Sequence, residues 1–342
     1  MKTIVWGNYK GGVGKTTSTY QVATYFSDFG KKVLLIDLDP QASLSEICAR
    51  KDNKDLKNYN ETQVFNYIVE LYTRYINSKK DIDFSLLMGE KQTPIKNILS
   101  NMPIKIQNIK NKEKGLFFIP TSISFENCRL NELASNMQKT NNFNIFLFQL
   151  FINDIENENF DYLFIDCPPT SNFLTQSVFL ASDYYIIPTI IDDISAHGVI
   201  DYIKEIRKTR LKYSAIENMG DILLKKVFGK ETQLIGIFET LYKNRPGYAS
   251  NTGEIKQLDK EINEHNIYTL ISQKNYENYR YKKSTNNFTT QHIFRDYIPH
   301  KDAKVSGESI SKNTAGGIQT NSYKKLSRAI FTILEDDNNE LQ

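Results

Sequence analysis

A chain of 342 residues, 40% hydrophobic and 24% charged, has ample length for a large core and the composition of a globular protein, as one elaborated domain or as two. The net charge of +3 names no partner, and Cys48, Cys128 and Cys167 are too scattered, with no C-x-x-C pair, for a disulfide framework or a zinc site. No apolar run approaches the roughly 18 residues of a spanning helix, and the N-terminus lacks the basic-then-apolar layout of a signal peptide, so the expected location is the cytoplasm, with no membrane partner.

In chain order, a short β-rich run at 2–6 leads into a glycine loop, and 16–29 has helical spacing that Gly30 ends. The run "KKVLLID" (31–37) is an apolar strand ending in acid. Strand, loop, helix and strand in succession open a parallel sheet with crossover helices. Further strands are expected at 115–122, 160–170, 183–190, 233–242 and finally 292–299, with helices at 142–155, 172–181 and 195–209. Strands apolar on both sides require a mostly parallel α/β sheet covered by helices on both faces. The polar stretch 50–114, helical around 61–76, reads as a mainly helical insertion in one domain spanning 1–342. A second polar elaboration fills 246–291, too long for an ordinary connection. An amphipathic helix at 322–334 precedes an acidic tail.

The glycine loop carries the chemistry. "NYKGGVGKTT" (8–17) ends as a phosphate-binding loop does, in Gly14-Lys15-Thr16, but Tyr9 stands where the pattern G-x-x-x-x-G-K-[ST] has its first glycine, and Lys10 follows. Backbone N–H groups converging from such a turn at a helix N-terminus bind the oxygens of a triphosphate. Gly11, Gly12 and Gly14 permit the turn, with Val13 and Thr17 in the same cradle. Lys15 would reach the β- and γ-phosphates, and the Thr16 hydroxyl would enter a magnesium shell. Two expected strands end in acid at the edge where parallel sheets bind ligands, one in Asp37-Leu38-Asp39-Pro40-Gln41 and one in Asp166-Cys167-Pro168-Pro169. Asp166 suits an acid that holds magnesium through water. Asp37 and Asp39 should point to opposite sides of an extended segment.

"KGGVGKTT" (10–17), "VLLIDLDPQ" (33–41) and "FDYLFIDCPP" (160–169) together resemble the deviant Walker A, Walker A′ and Walker B motifs of the ParA/MinD group of P-loop ATPases. The Pro-Gln ending resembles the ParA partition branch more than MinD. About a third of the chain, 50–114 and 246–291, has no counterpart in the resemblance. It implies an ATPase using ATP and Mg2+, active as a homodimer that binds duplex DNA without sequence preference and answers to a ParB-like centromere-binding partner. It also implies that Lys10 reaches across the dimer to the partner's nucleotide, that Asp39 positions or activates the hydrolytic water, and that Asp37 helps organise magnesium. Between Lys274 and Arg328 there are 11 Lys and Arg against 4 Asp and Glu, so positive charge is segregated. Lys274, Arg280, Lys282 and Lys283, interleaved with tyrosines, suit phosphate contacts, and Arg245 matches a DNA-contacting arginine of the family. The arginine that the family carries after its last strand is His300 here.

Two other readings compete. A MinD-like membrane-surface ATPase needs a C-terminal amphipathic helix with a basic face; 322–334 has Lys324, Lys325 and Arg328, but "LEDDNNELQ" follows. An iron–sulfur relative needs paired cysteines, for which Cys128 and Cys167 are the only candidates.

Overall fold

The computed structural model describes residues 1–106, 115–124, 128–191, 193–215, 220–242, 252–283, 288–299 and 321–339. Its centre is a ten-stranded sheet in the order β3-β4-β2-β5-β1-β6-β7-β9-β8, with β10 paired to β7. The strands are β1 (Lys2–Trp6), β2 (Lys32–Asp37), β3 (Ile104–Lys105), β4 (Gly115–Ile119), β5 (Tyr162–Asp166), β6 (Tyr184–Thr189), β7 (Gln233–Tyr242), β8 (Arg280–Lys283), β9 (Phe288–Phe294) and β10 (Ile298–Pro299). Pairing is parallel except at the two edges, where β3 runs antiparallel to β4 and β8 antiparallel to β9.

Alternation along these apolar strands sends successive side chains to opposite faces, and both faces are buried. Val5, Leu34, Ile36, Leu163 and Ile165 enter one core. It is covered by α3 (Phe65–Asn77), the short α4 (Phe84–Leu87) and α5 (Lys96–Leu99), then α6 (Leu130–Thr140), α7 (Leu147–Ile155), α8 (Phe173–Ala181), α9 (Asp193–Ser214), α10 (Gly220–Phe228) and α11 (Thr252–Glu264). Ile4, Trp6, Val33, Leu35 and Phe164 enter the other, beneath α1 (Lys15–Asp28), α2 (Ser43–Lys51) and the C-terminal α12 (Asn321–Asn339).

The stretch expected as an insertion at 50–114 is wound into the domain. Phe65, Ile68, Val69 and Tyr72 of α3 are fully buried in the first core, and buried Asp154 of α7 accepts the Tyr72 hydroxyl (2.6 Å) and the Thr93 N–H (2.8 Å). The strand expected at 292–299 is two pieces, β9 and β10, both parallel to β7. The chain bends between them where the Arg295 N–H is drawn off to the Tyr279 carbonyl at 2.7 Å. The polar elaboration holds α11, whose Asp259 accepts the N–H groups of Gln291 and His292. Burial lowers the His292 pKa to about 4, so the imidazole is neutral there, bonded to Thr269.

Helix α12 lies along α1. Tyr323, Leu326, Ala329, Ile330, Ile333 and Leu334 have no exposed surface, and the Tyr323 and Ser18 hydroxyls are 3.0 Å apart. The apolar face that a membrane-surface helix would give to lipid is thus given to the core. Among the described residues no helix is long and apolar enough to cross a membrane.

Candidate nucleotide site

Strands β1, β2 and β5 are in register so that their last residues align. Trp6 pairs with Asp166, and Asp37 pairs with Asp166. Beyond that edge the loop after β1 turns through Gly12 and Gly14, whose φ of 70° and 76° favour glycine, into α1. No side chain caps α1 and no acid stands in its first turn, which leaves its N–H groups to an anion. The Asn8 side chain donates to the Pro188 carbonyl and accepts the Lys10 N–H, both at 2.9 Å, and the Thr240 hydroxyl donates to the carbonyls of Val13 (2.8 Å) and Thr189 (3.1 Å). Both ends of the loop are thereby fixed to β6 and β7.

Lys15 is buried, and its Nζ folds back to the Lys10 carbonyl at 3.1 Å, the position of a group reaching under the loop toward phosphate. Thr16 Oγ1 donates to Asp166 Oδ2 at 2.6 Å, while Asp166 Oδ1 is buried without a hydrogen-bond partner. A hydroxyl beside a buried carboxylate with an unfilled oxygen fits a hydrated magnesium ion held through water, so the residues present suit the metal.

Asp37 and Asp39 stand in different surroundings. Asp37, fully buried, accepts the Asp39 N–H on one oxygen (3.0 Å) and the Ser45 N–H on the other (2.9 Å), tying the turn after β2 to α2. Asp39 lies beyond the strand, half-buried, and accepts the Gln41 N–H at 2.9 Å. Burial raises the pKa of both Asp166 and Asp37. The Asp37 charge adds to the rise at Asp166, and the Asp39 charge to that at Asp37, where the Ser45 and Asp39 N–H groups oppose it. Burial lowers Lys15, against the pull of Asp166 and Asp39. Three ionisable groups are therefore each pushed toward neutrality in the absence of a ligand, as at a site built for one.

Of the residues singled out in the sequence, Lys10, Gly11, Gly12, Val13, Gly14, Lys15, Thr16, Thr17, Asp37, Asp39 and Asp166 stand at this one edge of the sheet. The basic candidates lie elsewhere: Lys274 and Lys282 are exposed, the latter bridging to Glu277 at 3.2 Å. Arg280 is half-buried, and its guanidinium donates to the carbonyls of Ile271, Ser272 and Gln273 and so holds a turn together. Arg245, His300 and the Lys283 side chain lie outside the described residues. Cys167 is buried at the loop and Cys128 lies beside Glu70 (3.5 Å). Asn8, Thr240 and Tyr202 were not foreseen. Tyr202 of α9 packs edge-on against Tyr9 (5.1 Å between centroids), and its hydroxyl occupies the place a Cβ at Gly7 would take, 1.6 Å away.

A glycine loop on the central strand of a mostly parallel sheet, with a buried lysine, a hydroxyl and acids at the same edge, defines a P-loop nucleotide-binding protein. Residues 1–217 match the family described as AAA domain. The chromosome-partitioning ATPase Soj of Treponema pallidum is 24% identical over 79% of this chain and 82% of its own length. Among solved structures, a putative plasmid partition protein of Borrelia burgdorferi bound to AMPPNP is 18% identical, with TM-score 0.54 over 98% of both chains. pNOB8 ParA bound to nonspecific DNA is 22% identical, with TM-score 0.54 over 98% of this chain and 99% of the other. The chain belongs to the AAA domain family, as a P-loop ATPase of the ParA/MinD type.

Proposed function

We propose that this ATPase is an ATP-dependent DNA partition protein. ATP closes a sandwich homodimer, the dimer binds duplex DNA without sequence preference, and a ParB-like centromere-binding partner stimulates slow, Mg2+-dependent hydrolysis that releases it. The observation that carries the reading is the inward fold of the Lys15 side chain beneath a loop that holds a second lysine. Lys15 turns inward beneath the loop, and half-buried Lys10 directly precedes exposed Gly11 and Gly12, the part of the loop that a second subunit's phosphates would approach. The relatives support it by their names, one a chromosome-partitioning ATPase and one a ParA bound to nonspecific DNA.

Magnesium bound through Thr16 and Asp166 would neutralise charge on the phosphates. Lys15 would hold the nucleotide of its own subunit, Asp37 would brace the turn that carries Asp39, and Asp39 would orient the attacking water. Lys274, Lys282, Lys283 and Arg245 remain the proposed DNA contacts, and the bound dimer would sit on the nucleoid.

Lys10→Ala separates this reading from an ATPase that works as a single subunit. Nucleotide binding should persist while turnover falls about 100-fold. Normal hydrolysis by a variant that still dimerises with a non-hydrolysable analogue, seen by light scattering, would remove the cross-dimer role. Filter binding of plain duplex DNA that is equal with and without ATP would remove the switch, and a flat salt dependence would remove the phosphate contacts.

A further inference from the structure

At the end of α1 remote from the phosphate loop, Phe29 is 59% exposed although it belongs to an otherwise well-packed aromatic cluster. One face of its ring lies on buried Tyr25, with centroids 4.4 Å apart and planes 26° from parallel, and Phe331 of α12 supports it at 5.8 Å. A shallow cavity of about 460 Å³ opens over this pair, and its remaining walls are Asp28, Lys324, Lys325 and Arg328. The three cations are exposed on α12, whose other face is buried. The patch thus offers a flat ring held rigidly from behind, three cations against one carboxylate, and room for a few atoms above the ring.

A rigid exposed ring beside cations is the arrangement that holds an unstacked nucleobase on its face and the adjoining phosphates at the rim. Duplex DNA has no base face to give, so this surface has a different ligand from the proposed duplex contacts. A lipid surface suits it less. A ring pinned flat on another ring does not project to insert, and the Asp28 carboxylate opposes anionic headgroups while being able to accept from a base N–H.

We infer that Tyr25, Phe29 and the Lys324–Lys325–Arg328 face of α12 form a second nucleic-acid site, which takes an unpaired nucleobase with its phosphate. The source is either single-stranded nucleic acid or a free nucleotide.

The test uses the full chain and a fluorescein-labelled dodecamer of thymidylate, which neither pairs nor stacks strongly, read by anisotropy. Phe29→Leu keeps the apolar contact and removes the ring, so dodecamer affinity should fall about tenfold, with ATP-dependent duplex binding unchanged. Lys325→Gln with Arg328→Gln should flatten the salt dependence of dodecamer binding. Displacement of the dodecamer by millimolar thymidine monophosphate assigns the site to a free nucleotide, and failure to displace assigns it to a strand. Unchanged dodecamer affinity in Phe29→Leu overturns the site, as does association with phosphatidylglycerol vesicles and not the dodecamer. The fluorescence of Trp6, the only tryptophan and a fully buried one, reports that each variant is folded. Loss of duplex binding in the unmodified chain would count against the partition reading and leave this site standing.

Discussion

The two ends of the same central strands carry opposite electrostatics. At their C-terminal ends Asp37, Asp166 and Lys15 are buried, and burial drives each toward its neutral form. At their N-terminal ends the charges are partnered. The Lys31 Nζ meets Glu335 at 2.5 Å, Tyr162 donates to the same carboxylate, Tyr184 donates to Asp337, and Lys2 sits over the Tyr184 ring at 5.3 Å. Burial alone would raise Glu335, but the hydrogen bonds from Lys31 and Tyr162 prevail and hold it below the usual carboxylate range. One end keeps electrostatic tension that, in the proposed function, a nucleotide and its metal would relieve. The other resolves it within the fold and docks α12. Substitutions at the two ends should therefore trade stability and function in opposite directions.

The largest expected effect is at the C-terminal ends of the strands. Lys15→Ala removes the cation that reaches beneath the loop, and calorimetry with ATP should show affinity reduced by ~100-fold or more while thermal stability is kept or slightly raised, because a buried charge disappears. A variant that binds ATP normally would erase the contrast at its strongest point.

Asp166→Asn sharpens it. The native carboxyl binds protons more readily folded than unfolded, so its ionisation weakens folding as pH rises from the ordinary Asp value of about 4. Without nucleotide, the parent protein should lose stability as pH climbs from there toward neutrality, and Asp166→Asn should flatten that slope and gain on the order of 1 kcal/mol at pH 7.5 in urea unfolding. Its ATP-dependent turnover should be lost. An asparagine variant less stable than the parent at pH 7.5 would show that Asp166 is a structural acid.

The C-terminal edge of the sheet is far more legible in the sequence than the N-terminal edge. The loop motif, the strand-end acids and the order of the central strands follow from local patterns, an apolar run ending in acid or in glycine. What supports them comes from afar: Thr240 is 227 residues from the Val13 carbonyl it holds, and no spacing rule links them. The same holds for Tyr202, recognisable only once α9 is placed beside Gly7. Polarity in 50–114 hides the depth of its packing, because a lysine- and asparagine-rich surface masks the apolar stripe Phe65, Ile68, Val69 and Tyr72 of α3. Charge density leaves the structural role of Arg280 unread, since sequence cannot tell a guanidinium facing solvent from one tied to three carbonyls. The acids after Leu334 read only as an acidic tail, because the tyrosines that bond to them, Tyr162 and Tyr184, lie in stretches read as strand.

Those acids give the smallest effect and the cleanest control. Lys31 and Glu335 are each about a quarter exposed at the side chain, so their ion pair is partly screened, and the Tyr162 hydroxyl adds a more sheltered bond to the same oxygen pair. Glu335→Gln keeps a hydrogen-bond acceptor and removes the charge, which should cost roughly 1 kcal/mol in urea unfolding. The sign with pH is opposite to that of Asp166. A carboxyl held low contributes stability above the ordinary Glu pKa of about 4.3 and loses it as pH falls through its lowered value. The cost of Glu335→Gln should therefore shrink below about pH 4 and persist at pH 7.5, where ATP binding and turnover stay at the parent level. If instead turnover fell with α12 still docked, the two ends of the sheet would be coupled through the Tyr323–Ser18 contact between α12 and the helix that starts at the phosphate loop.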